Sequence, residues 1–220
     1  MIRVVLVDDQ ELVRTALALL IDSQPDLCVV GQARDGAAAL ELLAATGCDV
    51  VLMDVRMPRM DGVEATRLLL ARPGTTVRVI VLTTFDLDEH AFAALRAGAS
   101  GFLLKDAPAE EVLGAIRTIH AGDAVIAPST TCRLLEHVAT DLPNPHITDQ
   151  DPLASLTERE RDVFLQIARG ASNAEVCRRL YMAEATVKTH VGRILAKLGL
   201  RDRVQIVIRA YETGVIRPGR

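Results

Sequence analysis

A chain of 220 residues with 50% apolar side chains has enough core material for one large or two small domains. Its 25 Lys and Arg stand against 29 Asp and Glu, no window of 18 apolar residues exists, and the opening MIRVVLVDDQ turns acidic before a signal peptide is complete. These features fit a cytoplasmic two-domain protein with no membrane partner. Cys28, Cys48, Cys132 and Cys177 are scattered through apolar or helical contexts, which sets aside a disulfide framework or a cysteine metal site.

Ile2 to Val7 is an apolar run broken only by Arg3, short enough for a buried strand, and it stops at Asp8-Asp9. Leu12, Ala16, Leu19 and Leu20 then recur at helical spacing, Leu27 to Val30 reads as a second strand, and Ala37, Leu40, Leu43 and Ala44 mark a second helix. The alternation continues with a strand from Val50 to Met53 ending at Asp54, a helix over Val63 to Leu70 and a strand from Val77 to Leu82. A helix from Glu89 to Arg96, a strand from Gly101 to Leu104 and a helix from Glu110 to His120 follow. Five apolar strands separated by amphipathic helices predict an α/β unit over residues 1–120. Right-handed crossovers cover both faces of its parallel sheet, and the expected strand order is flavodoxin-like, (βα)5, 2-1-3-4-5.

In an open sheet of this kind the carboxyl ends of the central strands converge on one crevice, so Asp8, Asp9 and Asp54 come together there. Three carboxylates repel unless a cation is present, and an all-oxygen cluster with an open face suits Mg²⁺. Lys105, ending the fifth strand, supplies a positive charge on the same edge, and Thr83, ending the fourth, a hydroxyl. The set describes an aspartyl nucleophile, a metal, a lysine and a hydroxyl around one phosphoryl group. Taken singly, each Asp also reads as a helix cap and Lys105 as a solvated surface residue. Phosphatases use related chemistry but want a second carboxylate two residues after the nucleophile, and position 56 is Arg.

Residues 121–152 carry four Pro, five acidic residues and one Arg, and read as a linker with a short helix near Thr130 to Val138. Residues 153–220 reverse the charge, with 13 Lys and Arg against 7 Asp and Glu, whereas residues 1–120 are net −6. This asymmetry points the last domain toward a polyanion, DNA or RNA alike. Thr157 and Glu160 form a capping box for a helix that Gly170 ends, and Asn173 is the expected cap of a second helix. A third places Val187, Val191, Ile194 and Leu198 on one stripe. A fourth, Asp202 to Tyr211, carries Val204, Val207 and Ile208 on an apolar edge expected to be exposed for a two-fold contact. This all-α, four-helix pattern has helix-turn-helix spacing, although periodicity alone suits any small helical bundle.

The runs LTERERDVFLQIARGASNAEVCRRL and EATVKTHVGRILAKLGLRDRVQIVIRAYE resemble the DNA-binding domain of LuxR/NarL-type (NarL/FixJ) regulators. Residues 1–120 resemble the receiver domain that precedes it in two-component response regulators. The resemblance implies that Asp54 is the phosphoacceptor, that Asp8, Asp9 and Asp54 hold Mg²⁺ with the backbone carbonyl of Arg56, and that Lys105 pairs with the phosphoryl group. It implies Thr83 as the switch hydroxyl and Phe102 as the switch aromatic, a phenylalanine where many receivers have tyrosine. Pro58 and Met60-Asp61-Gly62 match the loop after the phosphoacceptor. Ala183 stands where a capping Ser or Thr is common. In the reader helix the residues expected toward DNA are Thr186, Lys188, Thr189, His190, Arg193 and Lys197, and Gly192 leaves a gap among them. The implied partners are a sensor histidine kinase, double-stranded DNA bearing an inverted repeat, and a second copy of the chain in a homodimer. The protein is then a switch with slow self-dephosphorylation, no turnover enzyme. The alternative is a phosphorylation-independent regulator or adaptor that uses the receiver only for docking.

Overall fold

The computed structural model describes residues 1–83, 89–121 and 151–216. Two compact units, Met1–Val125 and Ile126–Arg220, divide the chain.

In the first unit β1 (Ile2–Val7), α1 (Glu11–Asp22), β2 (Leu27–Ala33), α2 (Gly36–Ala45) and β3 (Val50–Asp54) are followed by α3 (Gly62–Leu70), β4 (Arg78–Thr83), α4 (Glu89–Arg96), β5 (Gly101–Leu104) and α5 (Ala109–His120). All strand pairs are parallel, in the order β2-β1-β3-β4-β5, as the alternation of runs predicts. Successive residues along a strand point to opposite faces, which sorts the buried side chains into two layers. Val4, Leu6, Val50, Leu52, Ile80, Leu82 and Leu103 face one core with Ile21 of α1 and Ile116 and Ile119 of α5. The opposite face is covered by α2, α3 and α4. Because both faces are covered, β3 and β4 need no alternation of polar residues, and β3 is buried along its whole length.

Strand ends differ from the sequence reading where pairing outlasts hydrophobicity. β2 continues to Ala33, since Gly31 and Gln32 extend the ladder beside Val5 and Leu6 after a register shift at Val4/Val5. An edge strand tolerates such residues because one side is open. Asp54 is itself the last residue of β3, paired with Leu82, so its backbone is held by the sheet.

The second unit contains α6 (Glu158–Ala168), α7 (Asn173–Leu180), α8 (Glu184–Leu198) and α9 (Arg203–Glu212). Thr157 and Glu160 form the expected capping box of α6. Ser172, not Asn173, caps α7, and with Glu175 it makes a second box. Asn173 is the first helical residue, and its side-chain oxygen accepts from Arg203 at 2.5 Å instead. Ala183 gives α8 no side-chain cap. A further correction concerns α9. Val204, Val207 and Ile208 are buried, because this helix packs against α6 and α8, so the expected exposed apolar edge does not exist. The helix expected near Thr130 to Val138 lies outside the described residues, and so does most of the 121–152 segment. No helix among the described residues is long and apolar enough to cross a membrane.

Candidate functional site

The carboxyl edge of the sheet gathers the acidic residues. Asp8 follows β1 directly, and its Oδ1 accepts from the Gln10 N–H at 2.8 Å, which fixes the carboxylate at the start of α1. Ligand atoms of Asp8, Asp9 and Asp54 lie within 4.8 Å of one another; Asp8 and Asp54 are buried and Asp9 is exposed. Lys105 bridges the two buried members, with Nζ 2.6 Å from Asp8 Oδ2 and 2.8 Å from Asp54 Oδ2. Its position is set by the backbone, because the Lys105 N–H continues the β4–β5 ladder onto the Thr83 carbonyl at 2.7 Å. Thr83 and Phe102 are both buried, one ending β4 and the other within β5. A cleft of about 480 Å³ opens beside the cluster, lined by Asp9, Val55, Arg56, Met57, Pro58 and Asp61.

Burial pushes the Asp54 carboxyl above its ordinary value, and repulsion from Asp8 adds to this, while the hydrogen bond and charge of Lys105 oppose it. Lys105 is pulled down by burial, but its hydrogen bonds to Asp54 and Asp8 outweigh that and leave it raised. One ammonium therefore faces three carboxylates. An all-oxygen cluster with surplus negative charge, buried on one side and open at Asp9, has the donor set of a hard divalent cation such as Mg²⁺.

The second unit presents a different surface. Along α8, Val187 and Ile194 are buried while Thr186, Lys188, Thr189, Gly192 and Arg193 are exposed. Lys188 lies 3.1 Å from Glu184, one turn back, and the Thr189 hydroxyl donates to the Ala185 carbonyl at 2.8 Å. A Cβ at Gly192 would meet nothing within 4 Å, which leaves open space on this face. His190 is half-buried, with Nδ1 turned inward. Lys197 is drawn off the face, its Nζ 2.6 Å from Oε2 of the buried Glu160.

Residues 4–117 match the response regulator receiver domain family, and residues 154–210 match bacterial regulatory proteins of the luxR family. YxjL of Bacillus subtilis (strain 168), an uncharacterized transcriptional regulatory protein, is 40% identical over 216 residues, 98% of this chain and 97% of that one. The DNA-binding transcriptional activator DevR/DosR of Mycobacterium tuberculosis (strain ATCC 25618 / H37Rv) is 36% identical over 99% of this chain and 98% of its own. The crystal structure of ChrA, a response regulator in a heme-sensing two-component system, covers 98% of both chains at 34% identity with a TM-score of 0.51. The chain belongs to the LuxR/NarL family of two-component response regulators. This response regulator joins a receiver with an Mg²⁺-type acidic cluster to a helix-turn-helix domain. Membership implies a histidine kinase, DNA and a second copy of the chain as partners.

Sequence reasoning missed three anchors of this regulator. Arg203 is buried and donates to the Ala171 carbonyl as well as to Asn173, tying α9 to the turn between α6 and α7. Asp35, fully buried, caps α2 and accepts from Arg59. An Asp-Gly pair ahead of the apolar helical pattern was the available signal for that cap. The third is the Lys197–Glu160 pair, which spans 37 residues and has no local signature.

That third anchor has a pH signature. The Lys197 hydrogen bond first, and the Thr157 N–H second, hold the Glu160 carboxyl down from 4.5 to about 2. A group depressed on folding stabilises above its unfolded value, and that contribution is lost as pH falls through the folded one. Thermal stability of the second domain is therefore expected to decline as pH drops from about 4.5 toward about 2. Lys197→Ala should lower stability at neutral pH and flatten this part of the profile. Circular dichroism melts across the range check it, and superimposable parent and variant profiles would remove the assignment.

Proposed function

We propose that this regulator is controlled by phosphorylation of Asp54 and reads double-stranded DNA with α8. Asp54 Oδ attacks the phosphorus of a phosphohistidine on a sensor kinase, the O–P bond forms, the P–N bond breaks, and the imidazole leaves with the electron pair and takes up a proton. Lys105, already bound to Asp54 and Asp8, supports this reading because its ammonium stands where charge on a transferred phosphoryl oxygen would need neutralising. Asp8, Asp9, Asp54 and the carbonyl of Arg56 are the proposed metal ligands. Bound there, Mg²⁺ would neutralise charge on the carboxylates and on the transferred phosphoryl group. Leu12 and Leu19, 82% and 71% exposed and two turns apart on α1, offer the kinase an apolar stripe beside the acidic edge.

The phosphoryl group on Asp54 carries roughly −1.5 to −2 charge where the carboxylate carried −1, and brings three acceptor oxygens. Thr83 is the proposed hydroxyl that reads this charge and Phe102 the buried ring that moves with it. The proposed domain limits are 1–120, a linker over 121–152, and 153–220. In the second domain Lys188 and Thr189 approach base edges, with Thr186, His190 and Arg193 on the flanking phosphates. Lys197, engaged with Glu160, reaches DNA only by leaving that pair, so its contribution is the smaller one. A two-fold dimer matches an imperfect inverted repeat.

The observation that carries the reading is the lysine-bridged acidic cluster in one chain with the exposed basic face of α8. Selection of bound fragments from genomic DNA, with and without a small acyl phosphate, tests it. A phosphodonor-dependent inverted repeat is the expected result. On that site Lys188→Ala should cost roughly 1–3 kcal/mol while leaving scrambled duplex nearly unchanged. Equal affinity of Lys188→Ala and parent for both duplexes would sink the assignment of the reader.

A further inference from the structure

Beyond the acidic cluster, the loop from Val55 to Asp61 shows how the cleft is held in shape. Arg56, Met57 and Pro58 line the cleft, and the chain turns sharply immediately after them. The Met60 N–H donates to the Pro58 carbonyl at 2.8 Å with Arg59 at φ 69°, a three-residue turn of the strained, positive-φ kind. A non-glycine residue persists there only where surrounding contacts over-determine it.

Those contacts come from α2. Asp35 is fully buried, its Oδ1 caps the helix on the Ala38 N–H at 2.9 Å, and its Oδ2 accepts from Arg59 Nη2. Arg34 Nε is farther, at 3.8 Å. A buried carboxylate favours a paired cation, and the Arg59 guanidinium, from the residue at the apex of the turn, supplies it. The next residue repeats the tie: the Met60 carbonyl accepts from the Gly36 N–H at 3.1 Å, and a Cβ on Gly36 would lie 2.8 Å from Met60 Cγ. At its other end the loop is closed by the Gly62 N–H on the Val55 carbonyl at 2.9 Å.

The geometry points to Arg59 and Asp35 as a latch that fixes the loop carrying Arg56, so that Arg59 is a positioning residue for cation binding beside Asp54. This rests on the proposed metal-dependent phosphorylation of Asp54. The latch acts through backbone placement: releasing Arg59 frees the far end of the loop, and the Arg56 carbonyl must then be ordered when the cation binds.

The test uses the intact chain and three substitutions. Arg59→Gly accepts φ 69° without strain and removes the whole side chain, guanidinium included. Asp35→Asn keeps an oxygen for the Ala38 N–H but loses the charge, and Arg59→Lys keeps the charge. Mg²⁺ alone is titrated into unphosphorylated protein and followed by amide chemical shifts, and labelling by acetyl phosphate is measured across Mg²⁺ concentrations. Arg59→Gly and Asp35→Asn should each weaken Mg²⁺ binding about 10-fold, the low end for groups that orient metal ligands. The labelling rate at saturating Mg²⁺ should stay within about two-fold of the parent, a split that separates positioning from chemistry. The double variant should be no weaker than the worse single one, because the two share one interaction. Arg59→Lys should recover part of the affinity. Unchanged Mg²⁺ affinity in Arg59→Gly, or losses that multiply in the double variant, overturns the latch while leaving Asp54 phosphorylation intact. A parent chain that binds no Mg²⁺ and accepts no phosphate overturns both. Should Asp35→Asn fail to fold, Arg59→Gly against Arg59→Lys decides the matter.

Discussion

Incubated with acetyl phosphate and Mg²⁺, the Asp54→Asn chain is expected to gain no mass, whereas the parent gains one phosphoryl group. Asp8 is also bound to Lys105, but its Oδ1 is held by the Gln10 N–H at 2.8 Å, more tightly than the Arg56 N–H holds Asp54 Oδ1 at 3.3 Å, and Asp9 is exposed and has no contact with the lysine among the described ion pairs. Asp54, held in the β3 backbone and bridged by Lys105, is the carboxylate we propose as nucleophile. An amide at this position lacks the charge to attack phosphorus. The same substitution has a second, independent readout. Burial raises the Asp54 carboxyl above 3.8, so its ionised form opposes folding at neutral pH, and this penalty fades as pH falls through the ordinary carboxylate range. Metal-free Asp54→Asn is therefore expected to melt above the parent at neutral pH, with the gap closing in acid. Intact-mass measurement and melts at several pH values give both results. A labelled Asn variant, or one that melts below the parent at neutral pH, contradicts the arrangement described.

Gly62→Ala should be the most damaging single methyl in the receiver. A Cβ at this position overlaps the Asp54 carbonyl oxygen and stands 2.9 Å from its carbonyl carbon and 3.0 Å from Met53 Cγ. The nearest obstacle is backbone, which cannot swing aside as a side-chain end can. Either α3 moves away from β3 or the end of β3 moves with Asp54 on it. The expected cost is about 3 kcal/mol of stability, at the upper end for overpacking. Labelling should slow about a hundred-fold, the usual effect of shifting a reacting group by an ångström. Urea unfolding and the rate of mass gain from acetyl phosphate check the two effects. Parent-like values for both would mean that β3 and α3 do not approach as closely as described.

Much of this regulator is legible in its residues taken in order. The period of apolar side chains and the lengths of the runs are local properties, and together with the handedness of crossovers they predict a doubly wound parallel sheet, whose order here is the flavodoxin-like one expected. That order brings Asp8, Asp54, Thr83 and Lys105 to one edge. The capping box at Thr157 and Glu160 is local too, and it forms as read. What the tertiary structure decided are partnerships between distant groups. Asp35 and Arg59 are 24 residues apart, Glu160 and Lys197 are 37, and each pair depends on the angle and spacing at which two elements pack. Lys197 has the chemistry of a DNA contact and becomes the partner of the buried Glu160 because α8 packs against α6. Val204, Val207 and Ile208 show the same limit. An apolar stripe announces that a helix will bury one face, but whether a second copy or the domain's own core covers it is settled only when the neighbouring helices α6 and α8 are in place.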